Sequence, residues 1–284
     1  MEKTEKTKSK QERSTLARML PWICMILLLL VAVVISLIQN PQVKTESIKE
    51  TMRDAVLHET GKISLFGLKD VNPGLISAIT ITVVLLIAAA LIRIFVIPKF
   101  TYVPGRFQLL LEQWVGYFDN LAKSNSPHRN GFLGAYLFGA GSYVFISTLF
   151  ELFGFQGVTT TGASIALPAP LSDVNAAIAL GCLSYLVIMA GGVAVNGIGG
   201  VGKALKEFSL PISMSFRLFG ALLSGLLVTE LVYYYVSLSF VLPVIVGVMF
   251  TLLHALIQTY VLTMLTALYY GEVSEPSKKK SKKK

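Results

Sequence analysis

The chain has 284 residues, of which 54% are hydrophobic and only 14% charged, with a mean hydropathy of +0.66 and a formal charge of +9. This composition excludes a soluble globule, a disordered chain and a collagen-like fibre. Cys24 and Cys182 both lie in apolar runs, where neither a disulfide framework nor a metal cluster is expected. The basic residues gather at the termini and in a few loops, a distribution that orients a membrane protein and does not line a nucleic-acid groove.

Residues 1–19 form a basic N-terminus with six Lys/Arg against three acids. Residues 20–38 follow without a charge, about one membrane span in length, and no small-x-small cleavage site comes after them, so an uncleaved anchor is predicted. Residues 39–72, with five basic and five acidic side chains, read as an external polar segment. A second span over 74–92 ends at Arg93 and Lys99, which can snorkel to the cytoplasmic interface. Between 104 and 122, Phe107, Leu110, Leu111, Trp114, Val115, Phe118 and Leu121 fall on one helical face, which predicts an interfacial amphipathic helix. Further spans are expected at 132–155 and 174–195, and a long C-terminal helical hairpin at 210–236 and 238–270. The fold class is therefore an all-α polytopic membrane protein with about six membrane-embedded helices. Its main membrane domain covers 73–271 and a polybasic tail covers 272–284. An even number of spans places both termini on one side. The lysines of the tail make that side cytoplasmic, and the loop at 156–172, which has no Lys or Arg, is then external.

An ionisable side chain at mid-bilayer costs about 2.5–3.5 kcal/mol on insertion scales, so each one needs a reason. Glu151, Arg217 and Glu230 stand out, and His254 and Gln258 add polar groups to the last helix. With the hairpin turn near Ser237, Arg217 and Gln258 fall at equal depth, His254 faces the level of Ala221, and Thr251 that of Ser224. Ser213, Arg217, Ala221 and Ser224 form one stripe at helical spacing, and Gly247, Thr251, His254 and Gln258 form another. Small residues such as Gly220, Gly225 and Gly247 suit close helix packing. Packing does not account for Arg217, a permanent cation and the only Lys or Arg in the hairpin. Glu151 and Glu230 in the outer half suit a water-filled path, with His254 as a proton relay.

The stretch Pro211-Ile-Ser213-Met-Ser-Phe-Arg217-Leu-Phe-Gly220 and the later Gln258-Thr-Tyr260-Val-Leu-Thr-Met-Leu265-Thr266-Ala-Leu-Tyr269 resemble subunit a of the F-type ATP synthases. Pro170-Leu-Ser-Asp173-Val-Asn175 adds a third match, and the resemblance covers residues 74–271. It implies a non-catalytic subunit with two half-channels that pass H+ or Na+ to and from a ring of c subunits. Arg217 would be the stator charge, and Gln258, His254, Glu230 and Glu151 would serve ion translocation. Ser213, Gly220, Ala221, Ser224 and Thr251 would pack closely against the ring. Implied partners are the c ring, the b subunits of the peripheral stalk, the rest of the synthase and membrane lipid. The implied location is a bacterial plasma membrane. The chain departs from the family pattern at Ala221, where Asn is usual, at Leu226, where an acid is common, and at Thr251, where His or Glu is common. His254, Glu230 and Glu151 are the displaced set expected to supply the missing polar groups. Asp173 and Asn175 are expected to anchor the fourth span at the external interface.

Two other classes compete. An intramembrane serine protease of the rhomboid kind would use Ser224 and His254, but Leu222 stands where it needs Gly and Arg217 would have no role. An ion-coupled transporter would show two similar halves, which this sequence lacks. No P-loop, zinc spacing or dinucleotide fingerprint appears, so no cofactor, metal or nucleic acid is expected.

Overall fold

The structure is a computed structural model that describes residues 31, 49, 53, 63–65, 68–128, 130–158, 164–234 and 242–276. Apart from Val31, the predicted anchor at 20–38 lies outside the described residues, as do the hairpin turn and residues 277–284 of the polybasic tail. The elements among the described residues are, in chain order, β1 (Ile63–Leu65), β2 (Leu68–Val71), α1 (Pro73–Leu91), α2 (Arg106–Asn125), α3 (Gly131–Leu149), β3 (Gln156–Val158), β4 (Ser164–Ala166), α4 (Val174–Asn196), α5 (Ile198–Lys206), α6 (Ser209–Tyr234) and α7 (Leu242–Ser274). Among the described residues five helical segments are long and apolar enough to cross a membrane: Pro73–Lys99, Gly131–Phe153, Val174–Asn196, Ser209–Val228 and Gly247–Ser274. The chain is an all-α polytopic membrane protein.

The helix starts follow from local chemistry. Asn72 accepts from the Gly74 N–H at 2.8 Å and Pro73 opens α1, so the first orphan donors are capped and the first φ is preset. Asp173 caps α4 in the same way through the Asn175 N–H at 2.7 Å. The Asn72 amide also donates to the Asp173 carboxylate, so the two caps form one bridge between the starts of α1 and α4. At its far end α1 loosens into a π turn at Ile92–Val96 and a 3-10 turn at Ile97–Lys99. Pro98 is the cause: its ring crowds the carbonyl one turn back and it has no N–H to continue the ladder.

Close packing in the bundle depends on glycine. Gly181 of α4 faces Ser215 and the Pro211 carbonyl of α6, Gly191 faces the ring of Tyr270, and Gly192 faces Val273 and Gly200. At Gly141 of α3 an added Cβ would lie 2.5 Å from the ring of Phe118 and 3.0 Å from Thr263. Phe118 and Ala122 are fully buried, and the Trp114 indole N–H reaches Ser142 at 2.9 Å, which seats the amphipathic α2 on α3. The α1 surface, by contrast, is largely exposed and apolar, as in a helix that faces lipid.

Three features were not foreseen. The short helix α5 has apolar residues Ile198, Val201, Ala204 and Leu205 at helical spacing, but three glycines in nine residues depress its helix propensity. The pair β1–β2 lies within the predicted polar segment, and β3–β4 form an antiparallel hairpin with Gly157 opposite Ile165. The two pairs touch where Ile63 approaches Gly157, at which an added Cβ would lie 2.8 Å away.

Candidate functional site: the Arg217 face of the α6–α7 pair

One side of α6 is committed to the core. Leu210, Met214, Leu218 and Leu222, four residues apart, are all buried and run along the bundle side. The opposite side carries Ser213, Arg217, Gly220 and Ser224, all exposed, with Ala221 half-buried at its edge. Arg217 and Gln258 line one small pocket with Met214, Leu218, Val261, Leu262 and Leu265, of about 170 Å³ open at the surface. Gln258 is 5% exposed and forms the pocket floor from α7, whereas Arg217 reaches it from the open side. The apolar lining residues all fall within the two motifs, 211–220 and 258–269, but the sequence reading did not single them out as lining a pocket.

Arg217 and Gln258 meet at one pocket, as their equal distance from the hairpin turn predicts. His254 contacts Gly225, one turn nearer the hairpin end than Ala221, where an added Cβ would lie 3.3 Å from its Nδ1. A helical side chain leans toward the N-terminus of its own helix, which for α7 is the hairpin end. Thr251, expected with the exposed set, is buried.

The remaining polar residues lie apart from the pocket. Glu151 is half-buried on the 3-10 turn that ends α3. Glu230 lies in the last part of α6, and its side chain is outside the described set. Among the described residues no carboxylate pairs with Arg217, while Lys123 pairs with Asp119 on α2. Away from the pocket, Tyr117 of α2 titrates above the ordinary tyrosine value because burial penalises its phenolate and because Tyr260 adds like charge. Ser224 donates to the Ala221 carbonyl at 2.7 Å, so its hydroxyl is turned to its own helix and not to His254.

Residues 75–271 match the family described as ATP synthase A chain, an interval that includes α6, most of α7 and the whole pocket. The chain belongs to this family. Subunit a of the ATP synthase of Cereibacter sphaeroides (strain ATCC 17025 / ATH 2.4.3) is 26% identical over 179 residues, which cover 59% of this chain and 69% of that one. As a member of the ATP synthase A chain family the chain is a component of that complex, a multi-pass membrane subunit concerned with ion transport and ATP synthesis. The capped Asp173 and the Gln258–Tyr269 stretch both fall inside the family interval.

Proposed function

We propose that this chain is the ion-conducting stator subunit of the synthase. Two aqueous half-channels, one open to each side, carry H+ or Na+ to and from carboxylates on a ring of c subunits, and Arg217 couples that flow to rotation. The observation that carries this reading is an exposed guanidinium on the small-residue face of an apolar helix, with no carboxylate paired to it among the described residues. A permanent cation at membrane depth calls for an anionic partner, and a passing ring carboxylate supplies one. The cation lowers the pKa of that carboxylate, so the carboxylate gives up its ion before moving on, and the same charge blocks a direct leak. Each unit charge that crosses 100 mV releases about 2.3 kcal/mol, so several ions must pass for each ATP.

In this reading Ser213, Gly220 and Ser224 keep the face narrow enough for ring helices, with Ala221 beside them. Glu151, Glu230 and His254 line the outer half-channel, and Gln258 orients Arg217. The b subunits and the rest of the synthase hold the chain still, and the membrane is a bacterial plasma membrane with both termini cytoplasmic.

The deciding experiment is Arg217→Ala in the assembled complex. Coupled ATP synthesis should be abolished while assembly persists. Arg217→Lys should also be severely impaired, because an ammonium is more strongly hydrated and can lose its proton when desolvated. Near-normal synthesis by assembled Arg217→Ala would sink the assignment. For the orientation, single cysteines at Ser281 and Ser164, with Cys24 and Cys182 replaced, should react with an impermeant reagent from outside only at Ser164.

A further inference from the structure

A buried hydroxyl in an apolar interior costs free energy unless it is hydrogen-bonded, and a helical Ser or Thr usually meets that need by donating to a carbonyl one turn back. Ser77, Thr148, Ser184, Ser215, Thr263 and Thr266 all do so, at 2.7–3.1 Å. Thr259 departs from this pattern. It is only 5% exposed, yet its Oγ1 is the one buried side-chain polar atom among the described residues without a hydrogen-bond partner in the chain. Its carbonyl is engaged, since Thr263 donates to it at 2.7 Å, but its hydroxyl makes no such bond of its own.

The direction of that side chain follows from its neighbours. At about 100° per residue, Thr259 lies about 60° round α7 from Leu262 and about 40° from Thr263. Leu262 lines the Arg217 pocket, and the Thr263 methyl meets the Gly141 position on α3. Thr259 therefore points into the wedge between the pocket and the α3–α7 seam, next in sequence to Gln258. Position 259 is an open position of the Gln-x-Tyr pattern, so the hydroxyl belongs to this chain and not to the motif.

We propose that the Thr259 hydroxyl holds an ordered water behind the Arg217–Gln258 pocket, and that this water is a station on the ion's route. Thr259 is then a positioning residue. The inference rests on the translocation reading above. Water is the ligand because the orphan group is a single hydroxyl and buried waters commonly serve otherwise unsatisfied polar groups. In this proposal the amide of the neighbouring Gln258 is its second partner.

The test uses the assembled complex in inverted membrane vesicles, with Cys24 and Cys182 replaced for the labelling arm. Thr259→Val keeps the shape and removes the hydroxyl, and ion-driven ATP synthesis should slow by about three- to tenfold, the scale of one lost hydrogen bond. Thr259→Ser keeps the hydroxyl and loses a methyl, and should run near the parent rate. A packing role predicts the reverse order, with Val mild and Ser worse. Independently of any turnover, T259C should react with the water-soluble reagent methanethiosulfonate ethylammonium at least tenfold faster than T263C, whose position is equally buried but self-bonded. If Thr259→Val runs normally, if Ser is slower than Val, or if T259C reacts no faster than T263C, the proposal fails. Loss of the translocation reading would instead show as an active Arg217→Ala complex, a result the labelling arm does not touch.

Discussion

Two glycine-bearing surfaces of this molecule look alike in sequence and differ in structure. Along α4 and its contacts, Gly181, Gly191, Gly192 and Gly200 are pressed against neighbouring backbone or side chains, and Gly271 of α7 meets the Asn125 carbonyl in the same way. On the Arg217 side, an added Cβ at Gly220 or Gly247 would meet nothing within 4 Å. The first set is small so that this chain can close on itself. The second set is small for no contact that the described residues provide, which agrees with a face kept clear for a partner. Gly225 lies between these extremes, in tight contact with His254.

This contrast can be broken most directly at the backbone contacts. Gly200→Ala and Gly271→Ala place a methyl on a carbonyl oxygen that no rotamer can move. Each should cost at least the about 1–3 kcal/mol typical of overpacking and reduce the amount of assembled complex, read from membrane extracts. Asn72→Ala removes one helix cap and leaves Asp173 without its amide donor. A loss of about 1–2 kcal/mol is expected, seen as faster proteolysis in detergent, whereas Asn72→Asp should be worse because it sets two carboxylates together. Trp114→Phe keeps the ring packing on Phe118 and Phe145 but removes the indole donor to Ser142, for about 0.5–1.5 kcal/mol in thermal unfolding. Gly220→Ala should leave stability unchanged or slightly raised, since Ala is the better helix former by about 1 kcal/mol in an exposed helix. Its effect should appear only as slower ATP synthesis in the complex. If Gly220→Ala instead lowers the stability of the isolated chain, the two glycine surfaces serve the same purpose and the partner argument falls.

Much of the architecture was legible because lipid imposes a simple rule. A spanning segment must be a long apolar helix, so 74–92, 132–155, 174–195 and the C-terminal hairpin stand out by length and composition alone, and the structure has helices there. Arg217 was legible for the complementary reason, as a charge where the rule forbids one. Asp173 could be read as an anchor, but its partner Asn72, 101 residues away, could not. Helix α5 was missed because three of its nine residues are glycine, a poor helix former, although Ile198, Val201, Ala204 and Leu205 keep helical spacing.

Sequence alone thus determined which segments are helical and which residues are out of place in a membrane, because both depend on the cost of exposing polar groups to hydrocarbon. Tertiary structure decided the partners. It set His254 against Gly225, turned Thr251 inward, and left the buried Thr259 hydroxyl without a partner in the chain. Those outcomes depend on which glycine admits which side chain at close range. Contacts of that kind join residues far apart in the chain, where periodicity carries no information.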